Sequence, residues 1–581
     1  MLNVLSFFTL FCHYYQAEAI NQLFIILYIY HNRVRGFCQK EKSVMLYMIE
    51  SNEYTLNKHT MYKPIVLIVL DGWGISNNVT GNPIREASLP TFDKLNRFYP
   101  MTTLQASGIS VGLPWNTAGN SEVGHMTMGA GRVLYQNLPR ISLAIQDGSF
   151  FKNEVLLKAV HSAKEKKGKL HLMGLLSSGS VHSHKDHILA LLRLAKNENI
   201  DEVYIHIFTD GRDSAPTDGV QQIKELTRTM RLVGIGKIAS LSGRNFSMDR
   251  NNNWDRIEKT YHMLTEGAGM TAVDPILVLE QAYGKNISDE YIEPTILTEN
   301  NKPIALIEDK DSVIFFNFRE DRARELTKAF TAPNFDGFER KILDISFTTL
   351  IEYERGLPVG VAFPPEKVSH CLGEELSLHN KKQLRLAETE KYAHVTYFFN
   401  GGTEKAFSGE DRLLVPSPAV SHFDEMPEMS SPKITETLIT ALEKNEYDFI
   451  LVNYANPDMV AHTGNEQASI HAVEATDKSL SILVPAILKA GGAIIITSDH
   501  GNVEELKRAS TGEMDTEHST NPVPLWYITP DNHREKNAEE MMREQNEVNG
   551  LLSDVVPTIL NIMEIEKPTE MNGTSLLPLL K

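Results

Sequence analysis

Three stretches of this chain can only be strands covered on both faces. Residues 65–70 form an unbroken run of β-branched residues and leucine that ends in Asp71-Gly72, and the same shape recurs at residues 448–453 and 493–498, the last running into Asp499-His500-Gly501. Such a run has no polar side to offer water, so helices must pack above and below it. Helical periodicity fills the intervals, for example at residues 434–444 and 472–489. The fold class is α/β, with a central parallel sheet. A second set of strand signals, at residues 170–176, 202–209, 238–242 and 312–318, lies inside the first, with amphipathic stretches such as 188–196 between. This predicts a second α/β domain inserted into the first. Proline and glycine punctuate the chain at Leu138-Pro139-Arg140 and Gly356-Leu357-Pro358. The expected division is an outer domain of residues 61–139 and 357–581 around an inserted domain of residues 140–356.

Ligand sites of α/β proteins lie at the carboxyl ends of parallel strands. Asp71 in VLDGWG, Asp458 and His462 in NPDMVAHTG, Asp499 and His500 in TSDHGN, and His518 in TEHSTNPVP all fall at or near such ends. With only three cysteines in 581 residues, a disulfide scaffold and a thiolate zinc site are excluded. Three carboxylates and three imidazoles suit Mn²⁺, Zn²⁺ or Co²⁺. Asp458 and His462 share a face if helical, whereas Asp499 and His500 point apart if extended, which suits reaching two ions. Six ligands are too many for one catalytic ion with an open position and divide well between two. Any one of them alone reads as a helix cap or a structural histidine; the argument rests on their coincidence at one sheet edge.

Ser121, in NTAGNSEVGHMTMGAGR, stands where a turn opens a helix. Alone it reads as a helix N-cap. Beside a divalent ion its hydroxyl is activated without a histidine base, and the helix N-terminus becomes an anion site for a phosphoserine.

The balance of 57 Lys+Arg against 75 Asp+Glu gives a net charge of -18. Such a field disfavours nucleic acid and anionic membranes as partners, and an anionic substrate needs a local cationic cluster. The inserted domain supplies one in HSHKDH (182–187), TDGRDSAP (209–216), GRNFSMDR (243–250) and NFREDRAR (317–324), each after a predicted strand. Together these carry Arg212, Arg244, Arg250, Arg319 and Arg322, whose planar forks grip carboxylate and phosphate bidentately. Singly, each would pair with a neighbour such as Asp213, Asp249 or Asp321. Lys391, in LRLAETEKYAHVTYFFNGG, is expected just before a strand, within reach of the other domain.

Residues 1–60 stand apart. Glu18 is the only formal charge before residue 31, and no basic region precedes the apolar run as an export signal requires. Each clean apolar run is about half the roughly 20 residues of a membrane span. Met61 opens MYKPIVLIVLDGWG in the manner of a cytosolic α/β protein, so residues 1–60 are expected to be an extension outside the working fold.

In their order, VLDGWG, GNSEVGH, SVHSH, DGRD, MDRNNNWDR, NFREDRAR, AETEKYAHVT, NPDMVAHTG, TSDHGN and EHST resemble the 2,3-bisphosphoglycerate-independent phosphoglycerate mutase family, from about Met61 to near the C-terminus. More widely they resemble the alkaline-phosphatase-like metalloenzymes. The resemblance implies an alkaline-phosphatase-like domain split by an inserted phosphotransferase domain, and two Mn²⁺ ions per chain. It places one ion on Asp458, His462 and His518 and the other on Asp71, Ser121, Asp499 and His500. Ser121, Asp213 and Lys391 are the implied catalytic residues; His182, Arg212, Asp213, Arg244, Arg250, Arg319, Arg322 and Lys391 are the implied substrate contacts. The implied protein is a monomeric cytoplasmic isomerase that interconverts 3- and 2-phosphoglycerate in glycolysis and gluconeogenesis, with small-molecule partners only. The sequence departs from the family at Glu320, where proline is usual, and at residues 251–253, where NNN replaces DNR. Rival readings are another alkaline-phosphatase-like enzyme, either a phosphatase or a phosphopentomutase, and a membrane-tethered binding protein that does no chemistry.

Overall fold

The structure is a computed structural model, and it describes residues 62–508 and 511–580. The expectations for residues 1–60 lie outside the described residues.

The strand Ile65–Leu70 is the centre of an eight-stranded sheet. It runs parallel to Phe449–Tyr454 on one side and to Ala493–Thr497 on the other, with Ile65 opposite Phe449 and Ala493. Gln383–Glu388 and Glu410–Val415 extend the sheet beyond the first, also in parallel. Side chains alternate across it: Val66, Ile68 and Leu70 pack under Ser431–Lys444 and Glu466–Lys489, whereas Ile65, Leu67 and Val69 pack against the layer containing Ser121–Ala130 and Val555–Ile562. Because the three central strands are in register, their carboxyl ends, with Asp71, Ala455 and Ser498, finish at one edge.

The sheet is not wholly parallel. Val523–Ile528 runs antiparallel to Ala493–Thr497 and to Met101–Gln105. An antiparallel neighbour needs no crossover helix, so the loop leaving Asp499 turns straight back and carries His518 along the same edge.

The second sheet contains Leu170–Leu176, Val203–Thr209, Lys237–Gly243, Ser312–Phe315, Ser346–Ile351 and Gly360–Phe363 in parallel, with Thr295–Glu299 antiparallel to Lys237–Gly243. All of it lies in sequence between Met101–Gln105 and Gln383–Glu388 of the first sheet, so one α/β unit is inserted in the other. Two expectations change here. The strand expected at 312–318 ends at Phe315, because the side chain of Asn317 accepts from Leu175 N at 3.0 Å, in the place where the ladder would continue. The boundary expected at 356/357 is a turn within the second sheet, since Gly360–Phe363 pairs with Ser346–Ile351. No helix among the described residues is long and apolar enough to cross a membrane.

Candidate active site

The first strand ends at Asp71, and Gly72 follows at φ +70°, a conformation glycine adopts without strain. A Cβ there would also lie 2.8 Å from the Cβ of Asp458, so the ligand loops close only around a glycine. Asp458 is in the first turn of the helix Asn456–Ala461 and His462 caps its end, which brings both to one face. His462 Nε2 and His518 Nε2 lie 3.4 and 3.5 Å from Asp458 Oδ1. The Nδ1 of each ring bonds a backbone carbonyl, Thr516 and Gly119, both at 2.8 Å. That fixes the hydrogens on Nδ1, leaving two Nε2 lone pairs facing each other at 3.0 Å. A divalent ion would resolve this confrontation, and imidazole ligands are typically oriented by just such carbonyls.

The second group adjoins the first. Ser121 Oγ is 3.1 Å from Asp71 Oδ1 and 3.0 Å from His500 Nε2, which itself lies 3.5 Å from Asp71 Oδ1 and 3.6 Å from Asp499 Oδ2. All four side chains are buried, and Asp499 Oδ2 has no hydrogen bond. Asp499 and His500 do not point apart: the strand stops at Thr497, the backbone bends, and both side chains enter one group. The ring of His500 stacks on that of His518 with centroids 3.9 Å apart, joining the two groups. The seven expected metal ligands are therefore contiguous. Three buried carboxylates crowded at one sheet edge and converging imidazole lone pairs fit divalent ions.

Lys391 reaches into the middle of this set. Its Nζ donates to Asp71 Oδ1 and Asp458 Oδ2, both at 2.6 Å, and to Ser121 Oγ at 2.8 Å. Burial alone would drive off the Lys391 proton, but Asp458 and Asp71 outweigh it and hold the ammonium well above its ordinary range. Burial likewise works against the Asp499 carboxylate, yet His500, His125 and Lys391 pull its pKa far down. His500 is lifted to about 9, its burial overcome by Asp499 and by the hydrogen bond to Asp71. The strand expected after Lys391 in fact precedes it, as Gln383–Glu388, and residues 394–398 wind into a helical turn. That turn packs so closely on Ser121–Ala130 that a Cβ on Gly129 would lie 1.9 Å from the Phe399 carbonyl oxygen.

Glu504 was not among the expected site residues. Its buried carboxylate accepts from Gly74 N and Asn502 N at 2.9 Å, from Asn521 Nδ2 at 2.9 Å, and from the Ser519 hydroxyl. These four donors come from the loops that carry Asp71, Asp499 with His500, and His518. Glu504→Gln turns an N–H group toward donors, and loosening the loops that carry metal ligands in this way weakens metal binding about 10- to 100-fold. Calorimetric titration of Mn²⁺ into the chelated protein reads this directly, and an unchanged isotherm would refute it.

On the inserted domain, Arg244 Nη1 donates to Asp210 Oδ1 and Asp213 Oδ2, both at 2.5 Å. Asp321 gathers Arg250 at 3.0 Å, Arg319 at 3.4 Å and His182 at 3.6 Å, while His182 Nε2 lies 3.7 Å from Asp213. Arg322 donates to the Met248 carbonyl, and its pKa is lowered by burial and then by Arg244, Arg250 and Arg212. Arg212 itself turns to Glu290 at 2.7 Å. His182 is lowered to about 4 by burial and by the Arg244 charge. All eight expected substrate contacts except Lys391 thus belong to one charged cluster, in which Asp210 holds Arg244, Asp321 holds Arg250 and Arg319, Glu290 holds Arg212 and the Met248 carbonyl holds Arg322. Glu320, the departure from proline, is exposed.

A serine at a helix start among buried Asp and His side chains, at the strand ends of a mainly parallel sheet that carries an inserted α/β domain, defines an alkaline-phosphatase-like metalloenzyme. A family model described as "Type I phosphodiesterase / nucleotide pyrophosphatase" matches residues 368–567, and one described as "BPG-independent PGAM N-terminus" matches residues 141–355. The 2,3-bisphosphoglycerate-independent phosphoglycerate mutases of Clostridium botulinum and Clostridium acetobutylicum are each 48% identical to the chain, over 89% and 88% of its length and 99% of theirs. The chain belongs to the 2,3-bisphosphoglycerate-independent phosphoglycerate mutase family. It is also similar to a solved structure of Leishmania mexicana phosphoglycerate mutase at low cobalt concentration, with 30% identity over 89% of this chain and 98% of that one, at a TM-score of 0.49.

Proposed function

We propose that this chain interconverts 3-phosphoglycerate and 2-phosphoglycerate through a phosphoserine on Ser121. The observation that carries the reading is the position of Ser121 Oγ, which is met at once by Asp71, His500 and the Lys391 ammonium. Two divalent ions, taken here as Mn²⁺, would be held by Asp458, His462 and His518 and by Asp71, Ser121, Asp499 and His500, and when bound they would lower the hydroxyl pKa and offset phosphoryl charge. Ser121 Oγ, reacting as the alkoxide, forms a bond to phosphorus as the bond from phosphorus to the glycerate oxygen breaks. Asp213 gives that oxygen its proton, and Lys391 and the helix N-terminus bear the charge on the phosphoryl group. The glycerate, gripped by His182, Arg212, Arg244, Arg250, Arg319 and Arg322, then presents its other hydroxyl. Asp213, which must enter the cycle as the carboxylic acid, takes its proton back as that oxygen attacks the phosphoserine, and Ser121 Oγ departs as the alkoxide in which it began, so protons and phosphoryl group balance over the cycle.

Isomerisation requires that water be kept from the phosphoserine, a task suited to two domains closing on the substrate. On this reading the inserted domain, expected at residues 140–356, is carried on to Phe363 by its last strand, and the metal-binding domain is residues 61–139 and 364–581. The enzyme would work as a cytoplasmic monomer. A coupled assay on 3-phosphoglycerate without bisphosphoglycerate should yield 2-phosphoglycerate with little free phosphate. Steady release of phosphate would instead make the chain a hydrolase.

A further inference from the structure

Behind the nucleophile lies a buried pair that the ligand groups leave unexplained. His125 stands one helical turn beyond Ser121 on the helix Ser121–Ala130, and Asn453 lies on the strand Phe449–Tyr454; neither is exposed at all. His125 Nδ1 is 2.9 Å from the Ser121 carbonyl oxygen. A carbonyl only accepts, so this nitrogen carries the hydrogen and Nε2 carries the lone pair. Nε2 accepts from Asn453 Nδ2 at 3.2 Å, and the same amide gives its other hydrogen to Asp71 Oδ2 at 2.7 Å. His125 Nδ1 also lies 3.2 Å from Asp499 Oδ2.

Asp71, His125 and Asp499 are close enough together to look like a third ion site. The hydrogen bonds argue otherwise, because both ring nitrogens are already engaged and no lone pair remains for a metal. We infer that His125 and Asn453 are positioning residues that fix the Ser121 turn and aim the Asp71 and Asp499 carboxylates from behind. The inference rests on the phosphoserine reading. Asp71 shows how the device works: with Oδ2 tied to Asn453, Oδ1 can point only toward Ser121 Oγ at 3.1 Å and Lys391 Nζ at 2.6 Å. Holding reacting atoms in an attack geometry is a large share of catalysis, and small misplacements are costly.

Two variants separate the halves of the ring. The amide of His125→Asn overlays Nδ1 and keeps the donor to the Ser121 carbonyl, whereas that of His125→Gln overlays Nε2 and keeps only the contact with Asn453. His125→Gln should lose about 10- to 100-fold in kcat, the usual cost of disturbing groups behind metal ligands. KM for 3-phosphoglycerate should stay within about twofold, since the arginines that bind substrate lie on the other domain. His125→Asn should recover most of kcat. In rapid-quench mass spectrometry, phosphorylation of Ser121 should slow in the same order. Mn²⁺ titrated alone into the chelated proteins should bind more weakly to His125→Gln than to wild type. Asn453→Leu, of similar shape, should reproduce the loss, and the double variant with His125→Gln should be no worse than either single, as members of one unit are not additive.

Equal losses in His125→Asn and His125→Gln, unaltered Mn²⁺ binding, or additive losses in the double variant would each overturn the inference. Wild-type enzyme that never carries phosphate on Ser121 would overturn the phosphoserine reading itself, whereas phosphorylation at unchanged rates in the variants overturns only this inference.

Discussion

Ser121→Ala is expected to abolish turnover, by on the order of 10⁴-fold or more as for other removed nucleophiles, while leaving the fold intact. A serine at the start of a helix ordinarily caps it, and losing a cap costs about 1 kcal/mol. Here the cap is Asn120, whose side chain accepts from Val123 N at 3.0 Å, and Ser121 is the first helical residue. The helix therefore does not depend on the Ser121 hydroxyl. What the variant loses is the one hydroxyl held among Asp71, His500 and Lys391. Thermal unfolding should stay close to wild type, the coupled assay should fall to background, and the phosphopeptide containing residue 121 should vanish. Wild-type-like activity in this variant would remove the phosphoserine route.

The gathering of Asp and His side chains around Ser121 was legible because chemistry at strand ends leaves a linear trace. A buried strand announces itself by an unbroken apolar run, and a polar residue where the run stops has few ordinary reasons to be there. Asp71 and Asp499 follow such runs directly. Asp458 and His462 follow one within a short helix whose spacing puts them on one face. The residues that bond to these side chains and their loops left no such trace. Asn453 bonds Asp71 from 382 positions away, and Gly74 meets Glu504 from 430. Each sits in a strand or loop that reads locally as framework, and only tertiary folding gives it a partner. Lys391 shows the same limit from the other side. Residues 394–398 have the β-branched and aromatic composition of a strand, but their close packing on Ser121–Ala130 overrides that preference. Among the arginines the sequence showed the cluster but not its order: Asp210 and Asp321, which lock Arg244, Arg250 and Arg319, look like ordinary surface partners until the loops meet.

Chelation of the divalent ions is expected to abolish activity and to lower stability without unfolding the chain. Asp71, Asp458 and Asp499 are all but inaccessible to water, and buried charge persists only with compensation. Lys391 bridges Asp71 and Asp458 and would go on balancing their charge once the ions are removed. His500, lifted to about 9 by its acidic neighbours despite burial, adds a proton at neutral pH. Those two cations are expected to keep the domain folded while leaving Ser121 without metal activation and the phosphoryl group without its main counter-charge. Ions present at 100 times their dissociation constant stabilise a folded protein by about 2.7 kcal/mol per site, so the unfolding temperature should rise when Mn²⁺ is added back, together with the mutase activity. The sign of the pH effect follows from the same groups. An ion must displace the His500 proton, so binding releases protons and strengthens as pH rises toward 9. Proton uptake on metal binding, or full mutase activity after exhaustive chelation, would show that the Asp/His groups are not the metal centre of this enzyme.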